Sequence, residues 1–154
     1  MDQPDFQSVS FEASEPVFTI GVAAVKIGVS PETLRLYERE GLLLPHKTAT
    51  GRRLYSHSDL DWIMCIRRQI NIHKLNIAGI RRLLALIPCW NLKPCAPEER
   101  RNCQAYHSND QACWQLNVAS DKCQQDDCRD CNVYRAAGQV GHLKELFEMK
   151  LREQ

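Results

Sequence analysis

The stretch Ser30–Tyr55, SPETLRLYEREGLLLPHKTATGRRLY, constrains the fold of this chain more than any other. Ser30 is a natural N-cap, and Pro31 follows at the first helical position, where its missing N–H breaks no hydrogen bond. The pattern therefore predicts a helix that begins here and buries Leu34. Gly41 is expected to end the helix, because glycine readily adopts the left-handed conformation found beyond helix C-termini.

A basic hairpin is predicted directly after this helix. Residues 42–44 are apolar and are expected to form its first strand, and Gly51 suits the tip. The return strand is predicted at residues 52–55. Arg52 and Arg53 lie beside the tip, where two guanidinium groups can bind phosphate. A helix followed by a basic hairpin is an arrangement that can contact DNA.

The residues before Ser30 predict a first helix that begins near Thr19. Its inward face would consist of Ile20, Ala23, Ala24 and Ile27. Gly28 then supplies the tight turn of a helix-turn-helix.

Two further helices are predicted after the hairpin. Ser56 and Asp59 form a capping box for a third helix that runs to about Ile72, and Asn76 can cap a fourth helix that ends before Pro88. The buried face of the third helix is predicted to hold Leu60, Ile63, Met64 and Ile70. The apolar stripe of the fourth helix is Ile77, Ile80, Leu83, Leu84 and Ile87.

Three motifs follow one another over Val17–Ile87: VAAVKIGVSPETLRLYEREGLL, GRRLYSHSDLDWI and LNIAGIRRLLAL. With these motifs the region resembles the winged helix-turn-helix of the MerR family of bacterial regulators, and it is most similar to the heat-shock-repressor-like (HspR) branch. Most members have an aromatic pair in the recognition helix, where this chain has Leu36-Tyr37. The resemblance implies a homodimer that binds and distorts palindromic promoter DNA, with RNA polymerase as a further partner at the promoter.

The charge distribution agrees with a DNA-binding role for this region. Residues 17–87 hold eleven Lys and Arg against five Asp and Glu, a net charge of +6, whereas the whole chain carries only +1. Neutralising phosphates requires such a local excess of cations. The candidate DNA contacts are Thr19, Lys26, Thr33, Arg35, Tyr37, Arg52, Arg53 and Tyr55.

The remaining sequence predicts the domain organisation. Residues 1–16 are acidic and polar and are expected to form a disordered tail, residues 17–87 the DNA-binding domain, and residues 88–135 a small cysteine-rich module. Residues 136–154 would contribute a C-terminal dimerisation helix, predicted from residue 139 to 152. The expected fold class is thus mainly α, and with no apolar membrane-spanning run and no cleavable leader the expected location is the cytoplasm.

Seven of the eight cysteines fall in the module. They are Cys89, Cys95, Cys103, Cys113, Cys123, Cys128 and Cys131. In a reducing cytoplasm such a group more often binds metal or performs redox chemistry than forms structural disulfides.

The module contains a degenerate internal repeat. The first repeat, residues 89–106, begins with CWNL and ends with CQAY; the second repeat, residues 113–134, begins with CWQL and ends with CNVY. Each repeat is too small to bury a core of its own, so thiolate coordination is predicted to stabilise it.

Three interpretations of the thiols remain open. The preferred one is an iron-sulfur cluster, because Cys123, Cys128 and Cys131 have the C-x4-C-x2-C spacing of plant-type ferredoxins and Cys113 can serve as a fourth ligand. Structural zinc and reversible disulfide formation without metal are the alternatives.

The sequence thus predicts a dimeric transcription regulator that senses redox state, oxidants or metal, and the main alternative is a zinc-stabilised DNA-binding or architectural protein without sensing. A redox enzyme is disfavoured, because no catalytic His/Asp/Ser motif and no glycine-rich nucleotide loop is recognisable.

Overall fold

The computed structural model describes residues 12–116, 123, 125–138 and 144. Its N-terminal part contains β1 (Phe18–Thr19), α1 (Ile20–Ile27), α2 (Pro31–Arg39), β2 (His46–Lys47), β3 (Arg53–Tyr55), α3 (His57–Asn71) and α4 (Ile77–Ala85). The cysteine-rich segment contains α5 (Cys89–Leu92), α6 (Pro97–Arg101), α7 (Gln104–His107) and α8 (Asn132–Arg135), with 3-10 turns at Cys113–Gln115 and Cys128–Asp130. The helix predicted at residues 139–152 and most of the predicted tail lie outside the described residues.

The first two helices form the predicted helix-turn-helix. Thr19 is the N-cap of α1, and Gly28 ends it with a φ of 76°. At the start of α2, the Thr33 N–H donates to Ser30 Oγ at 3.1 Å, as the capping pattern predicts. Arg67 of α3 donates to the Ile27 carbonyl at 2.8 Å, which fixes the end of α1 against the third helix.

The wing is a three-stranded antiparallel sheet in the order β1-β3-β2. Gly51 lies at the hairpin tip with a φ of 81°, as predicted. The strand predicted at residues 42–44 is wrong, since the first strand of the hairpin is β2. Leu42 and Leu43 are both fully buried, whereas successive residues of a strand point to opposite faces.

Helices α3 and α4 begin as predicted. Ser56 and Asp59 form the capping box, and Asn76 accepts a hydrogen bond from the Gly79 N–H at 2.8 Å. Met64 was expected on the buried face of α3 but is 56% exposed; Trp62 and Ile66 are buried instead.

One hydrophobic core extends from the helix-turn-helix into the cysteine-rich segment. Ala112, Val133, Ala136 and Ala137 belong to the same buried cluster as the side chains of α1 to α4. The two regions therefore pack against each other. Within the described part of the chain, no helix has the length and apolar character needed to span a membrane.

Candidate DNA interface and thiol cavity

The exposed side of α2 carries two arginines and a glutamate. The Arg35 side chain is 43% exposed and lies 3.5 Å from Glu32, and Arg39 pairs with the same carboxylate at 2.9 Å. The Thr33 hydroxyl is 3.0 Å from Ser30 Oγ at the start of the helix. Both guanidinium groups are accessible to a polyanion, which would compete with Glu32 for them.

Glu38 joins the wing to α2. Its carboxylate accepts a hydrogen bond from Arg53 Nε and lies 2.8 Å from Lys47 Nζ, so it contacts both β2 and β3. Burial raises the pKa of Glu38, but these two contacts outweigh burial and hold the pKa below its ordinary value. Helix and wing consequently form one continuous surface. The sequence analysis missed Glu38, although a lone acid between Arg35 and Arg39 is a usable signal.

The other basic candidates lie around this surface. Arg52 is exposed next to the wing tip. Lys26 is exposed on α1, with its Nζ 5.1 Å from the centre of the Phe18 ring. Thr19 is half-buried, and its hydroxyl caps α1 by accepting from the Val22 N–H at 3.5 Å.

A second candidate site lies in the cysteine-rich segment, where all seven of its cysteines line one cavity of about 190 Å³. Lys93, Trp114 and Tyr134 also contribute to the wall. Cys65, the remaining cysteine, is half-buried on α3 and does not line the cavity. The fold thus gathers the seven thiols that the sequence analysis proposed as ligands.

The arrangement of the thiols is wider than a site for one ion. In the described ranges, no three Cys, His, Asp or Glu side chains converge on a point where they could hold a single metal ion. A single zinc ion needs four such ligands at about 2.3 Å. Seven thiols around a larger cavity suit a polynuclear metal-thiolate group better.

Burial keeps two of the cavity thiols protonated in the absence of metal. Burial, together with a smaller contribution from neighbouring thiols, raises the pKa of Cys89 to about 11 and that of Cys113 to about 12. A bound cation would displace these protons and stabilise the thiolates. Without such a cation, the thiolate forms of Cys89 and Cys113 that disulfide exchange needs are scarce at neutral pH.

The internal repeat is confirmed in the structure. Trp90 contacts Tyr106 edge to face in the first repeat, with ring centroids 5.3 Å apart, and Trp114 contacts Tyr134 in the second repeat at 5.2 Å. The last cysteine of each repeat immediately precedes a short helix, α7 or α8. Both repeats therefore place a tryptophan and a tyrosine in contact beside the cavity.

Residues 18–87 match the family described as MerR HTH family regulatory protein. These residues belong to the MerR family. The match spans the predicted helix-turn-helix, the wing, α3 and α4, and it confirms the sequence-based family assignment. It also agrees with the expectation that the chain is not an enzyme, since the family is one of regulatory proteins.

Curated relatives match the same region, residues 18–87, the MerR domain. The chain is 39% identical over 71 residues to the putative heat shock protein HspR of Streptomyces coelicolor, covering 46% of this chain and 47% of the relative. It is 34% identical over 73 residues to the transcriptional regulator GlnR of Bacillus anthracis (47% and 56%), and 46% identical over 52 residues to the mercuric resistance operon regulatory protein of Bacillus cereus (33% and 39%). The chain spans about half the length of the curated relatives it matches.

Two of the predicted DNA contacts have side chains that are buried in the MerR domain. Tyr37 is 5% exposed and Tyr55 is fully buried. Burial raises the pKa of Tyr55 to about 12. Both tyrosines belong to the hydrophobic core and position α2 and β3. The Tyr55 hydroxyl is itself buried, so Tyr55 cannot offer its phenol to a phosphate.

The second repeat docks on the connection between α2 and β2, residues 40–45. Trp114 Nε1 donates to the Gly41 carbonyl at 2.8 Å, and Gln115 Nε2 donates to the Glu40 carbonyl at 3.2 Å and to the Gly41 carbonyl at 3.0 Å. The Leu44 N–H donates to the Tyr134 hydroxyl at 2.9 Å. None of these contacts was predicted, since they join residues more than 70 positions apart.

Proposed function

We propose that this chain is a dimeric, DNA-binding transcription regulator whose thiol cavity holds an iron-sulfur cluster and makes DNA binding sensitive to redox state, oxidants or metal supply. The observation that carries the proposal is the position of the cavity: seven thiols surround one space, and that space lies against the DNA-binding domain. Relatives named as transcriptional regulators, and one named for mercuric resistance, support a regulatory role.

DNA would be bound by the surface formed by α2 and the wing. Arg35 is accessible on α2, Arg52 is exposed beside the wing tip, and Lys26 is exposed on α1. We propose that these cations contact phosphates and base edges of a palindromic promoter site, one half-site per protomer. Arg53 has a different role in this proposal, because its contact with Glu38 holds the wing in place.

The donor set and the size of the cavity favour a cluster over a single zinc ion. Soft thiolates select iron-sulfur clusters, zinc and copper(I), and the thiols here are spread around a space larger than one ion requires. Cys113 borders both Cys89 of the first repeat and Cys131 of the second. Lys93 adds a positive charge near Cys123 and Cys131, which would offset part of the charge of the thiolates. When bound, an iron-sulfur cluster would supply one-electron redox chemistry or would be lost on oxidation.

The cofactor is tested by purifying the full chain without oxygen and measuring iron, zinc, acid-labile sulfide and the visible spectrum. We expect iron and sulfide in equal amounts, and their loss in Cys113→Ser. Cys65→Ser is the matched control, because Cys65 lies outside the cavity and should leave both contents unchanged. Stoichiometric zinc without sulfide would select the zinc-stabilised alternative.

DNA binding is tested by selecting duplexes from a random-sequence library and measuring their affinity. Arg52→Ala is expected to weaken binding roughly tenfold, the change that loss of about 1.4 kcal/mol of contact energy produces. Arg101→Ala removes the same charge from an exposed position of α6 and should have little effect. Equal losses in both variants would refute the assigned interface, and sedimentation of the protein-DNA complex tests whether two protomers bind.

A further inference from the structure

We infer that the second repeat, but not the first, transmits the state of the thiol cavity to the recognition helix through residues 40–45. The inference rests on the proposed function for the identity of what the cavity binds. It concerns a different question, namely which side chains couple the two sites.

The connection between α2 and the wing is anchored by side chains from elsewhere in the chain. Trp62 of α3 donates to the Leu42 carbonyl at 2.7 Å. Arg81 of α4 forms a salt bridge with the Glu40 carboxylate at 3.7 Å. The other side chains that hydrogen-bond the backbone of this connection among the described residues are Trp114, Gln115 and Tyr134 of the second repeat. The position of this connection sets how α2 is joined to β2, and hence the shape of the proposed DNA surface.

Each of the three second-repeat anchors lies within three residues of a cavity thiol in the sequence. Trp114 and Gln115 follow Cys113 in the same 3-10 turn, and Tyr134 lies on α8, whose N-cap is Cys131. Trp114 and Tyr134 also line the cavity themselves. A change in the positions of Cys113 and Cys131 must therefore be accommodated by the side chains that bind the connection.

The Gln115 side chain packs closely against Gly41. A Cβ atom at Gly41 would lie 2.5 Å from Gln115 Nε2, and Gly41 has a φ of 73°, where glycine is favoured. Gln115 is packed directly on the backbone that ends α2. A shift of the second repeat would thus displace or release this backbone, because packed contacts of this kind do not stretch.

The first repeat provides an internal comparison. Its Trp90 and Tyr106 form the same edge-to-face contact, and Tyr106 lines the same cavity. However, Tyr106 is 38% exposed, and within the described part of the chain neither Trp90 nor Tyr106 hydrogen-bonds to residues 40–45. The equivalent residues of the first repeat therefore lack the anchoring role. Aromatic residues of both repeats line the cavity, but only those of the second repeat also hydrogen-bond to residues 40–45 among the described contacts.

The test compares two double variants in the full-length protein. Trp114→Phe/Tyr134→Phe keeps both rings but removes the indole N–H and the phenol hydroxyl that bind the connection. Trp90→Phe/Tyr106→Phe makes the same chemical change in the first repeat. For each protein we would measure iron content, and the affinity for a selected DNA duplex in the metal-loaded and metal-stripped forms.

Allosteric coupling between two sites typically changes affinity by about 5- to 150-fold. We expect the DNA affinities of the metal-loaded and metal-stripped forms to differ by such a ratio in the wild type and in the first-repeat variant. The second-repeat variant should retain its iron, while the ratio falls to within about twofold. Retention of the wild-type ratio by the second-repeat variant would overturn the inference.

Hydrogen exchange on the wild type provides a second readout that needs no variant. The Leu44 amide should exchange faster when the cavity changes state, because its acceptor is the Tyr134 hydroxyl. Exchange would be measured in loaded and stripped protein, and in metal-free protein before and after alkylation with N-ethylmaleimide. Failure to bind metal would count against the proposed function alone, whereas unchanged exchange at residues 42–44 after alkylation would count against the coupling.

Discussion

The MerR domain and the cysteine-rich segment are stabilised in different ways. The MerR domain contains a helix of 15 residues, and many of the large apolar side chains of the domain are fully buried. They include Leu34, Leu42, Leu43, Ile63, Ile66, Ile80 and Leu84. In the described part of the cysteine-rich segment the longest helix has five residues, and apart from Val133 and Tyr134 the buried hydrophobic residues are alanines.

This difference indicates what each region needs in order to fold. Helices of four or five residues are unstable alone, and alanine side chains bury little apolar surface. We therefore expect the cysteine-rich segment to depend on its contacts with the MerR domain and, under the proposed function, on ligands to its thiols. A region that needs a ligand for stability would respond strongly to its loss.

The largest expected effect comes from the core of the MerR domain. Ile63 is fully buried, so Ile63→Ala should lower the free energy of unfolding by about 2–5 kcal/mol, with or without metal. Met64→Ala is the control, because the Met64 side chain, next to Ile63 in the sequence, is 56% exposed. Its truncation should lower the free energy of unfolding by less than about 0.5 kcal/mol. Urea unfolding measures both, and similar losses would contradict the buried face assigned to α3.

Removal of metal should have an intermediate effect that is confined to one region. A ligand present at 100 times its dissociation constant stabilises the folded state by about 2.7 kcal/mol. Adding a chelator should therefore increase proteolytic cleavage within residues 89–116, while α3 and α4 stay protected. Equal protection of residues 89–116 and of α3 and α4 from proteolysis after chelation would show that the two regions do not differ in their need for metal.

The smallest expected effect concerns the contact between α2 and the wing. Because the pKa of Glu38 is lowered in the folded protein, its stabilising contribution is complete above the ordinary glutamate pKa and is lost as the pH falls through the folded value. Glu38→Gln should cost less than about 1 kcal/mol at neutral pH and should flatten the acid dependence. Glu98→Gln, at an exposed position of α6, is the control in urea unfolding at neutral and acidic pH. An unchanged acid profile in Glu38→Gln would show that this carboxylate does not hold the wing.

Much of the MerR domain was predictable, because its signals are local. The caps at Thr19, Ser30, Ser56 and Asn76 each involve a side chain and an N–H about three residues away. The strand predicted at residues 42–44 failed because those residues are anchored by distant partners, Trp62 and Tyr134. Local patterns contain no information about such partners.

The candidate sites were predictable to different degrees. The seven thiols and the repeat were visible in the sequence, because cysteine clustering and the CW motif do not depend on the fold. Their convergence on one cavity was not visible, since Cys89 and Cys131 are far apart in the chain. The burial of Tyr37 and Tyr55 could not be predicted, because a tyrosine beside a basic surface has the same sequence context whether its ring points outward or inward.

The sequence by itself determined where the helices of the MerR domain begin, where glycine must turn the chain, and which residues could bind metal or phosphate. These properties follow from backbone hydrogen bonding over a few residues and from the chemistry of side chains. Only the tertiary structure decided which tyrosines are buried, that one carboxylate joins α2 to the wing, and that the second repeat contacts residues 40–45. Those features depend on packing between segments distant in the chain, where burial and close contact are set by the whole fold.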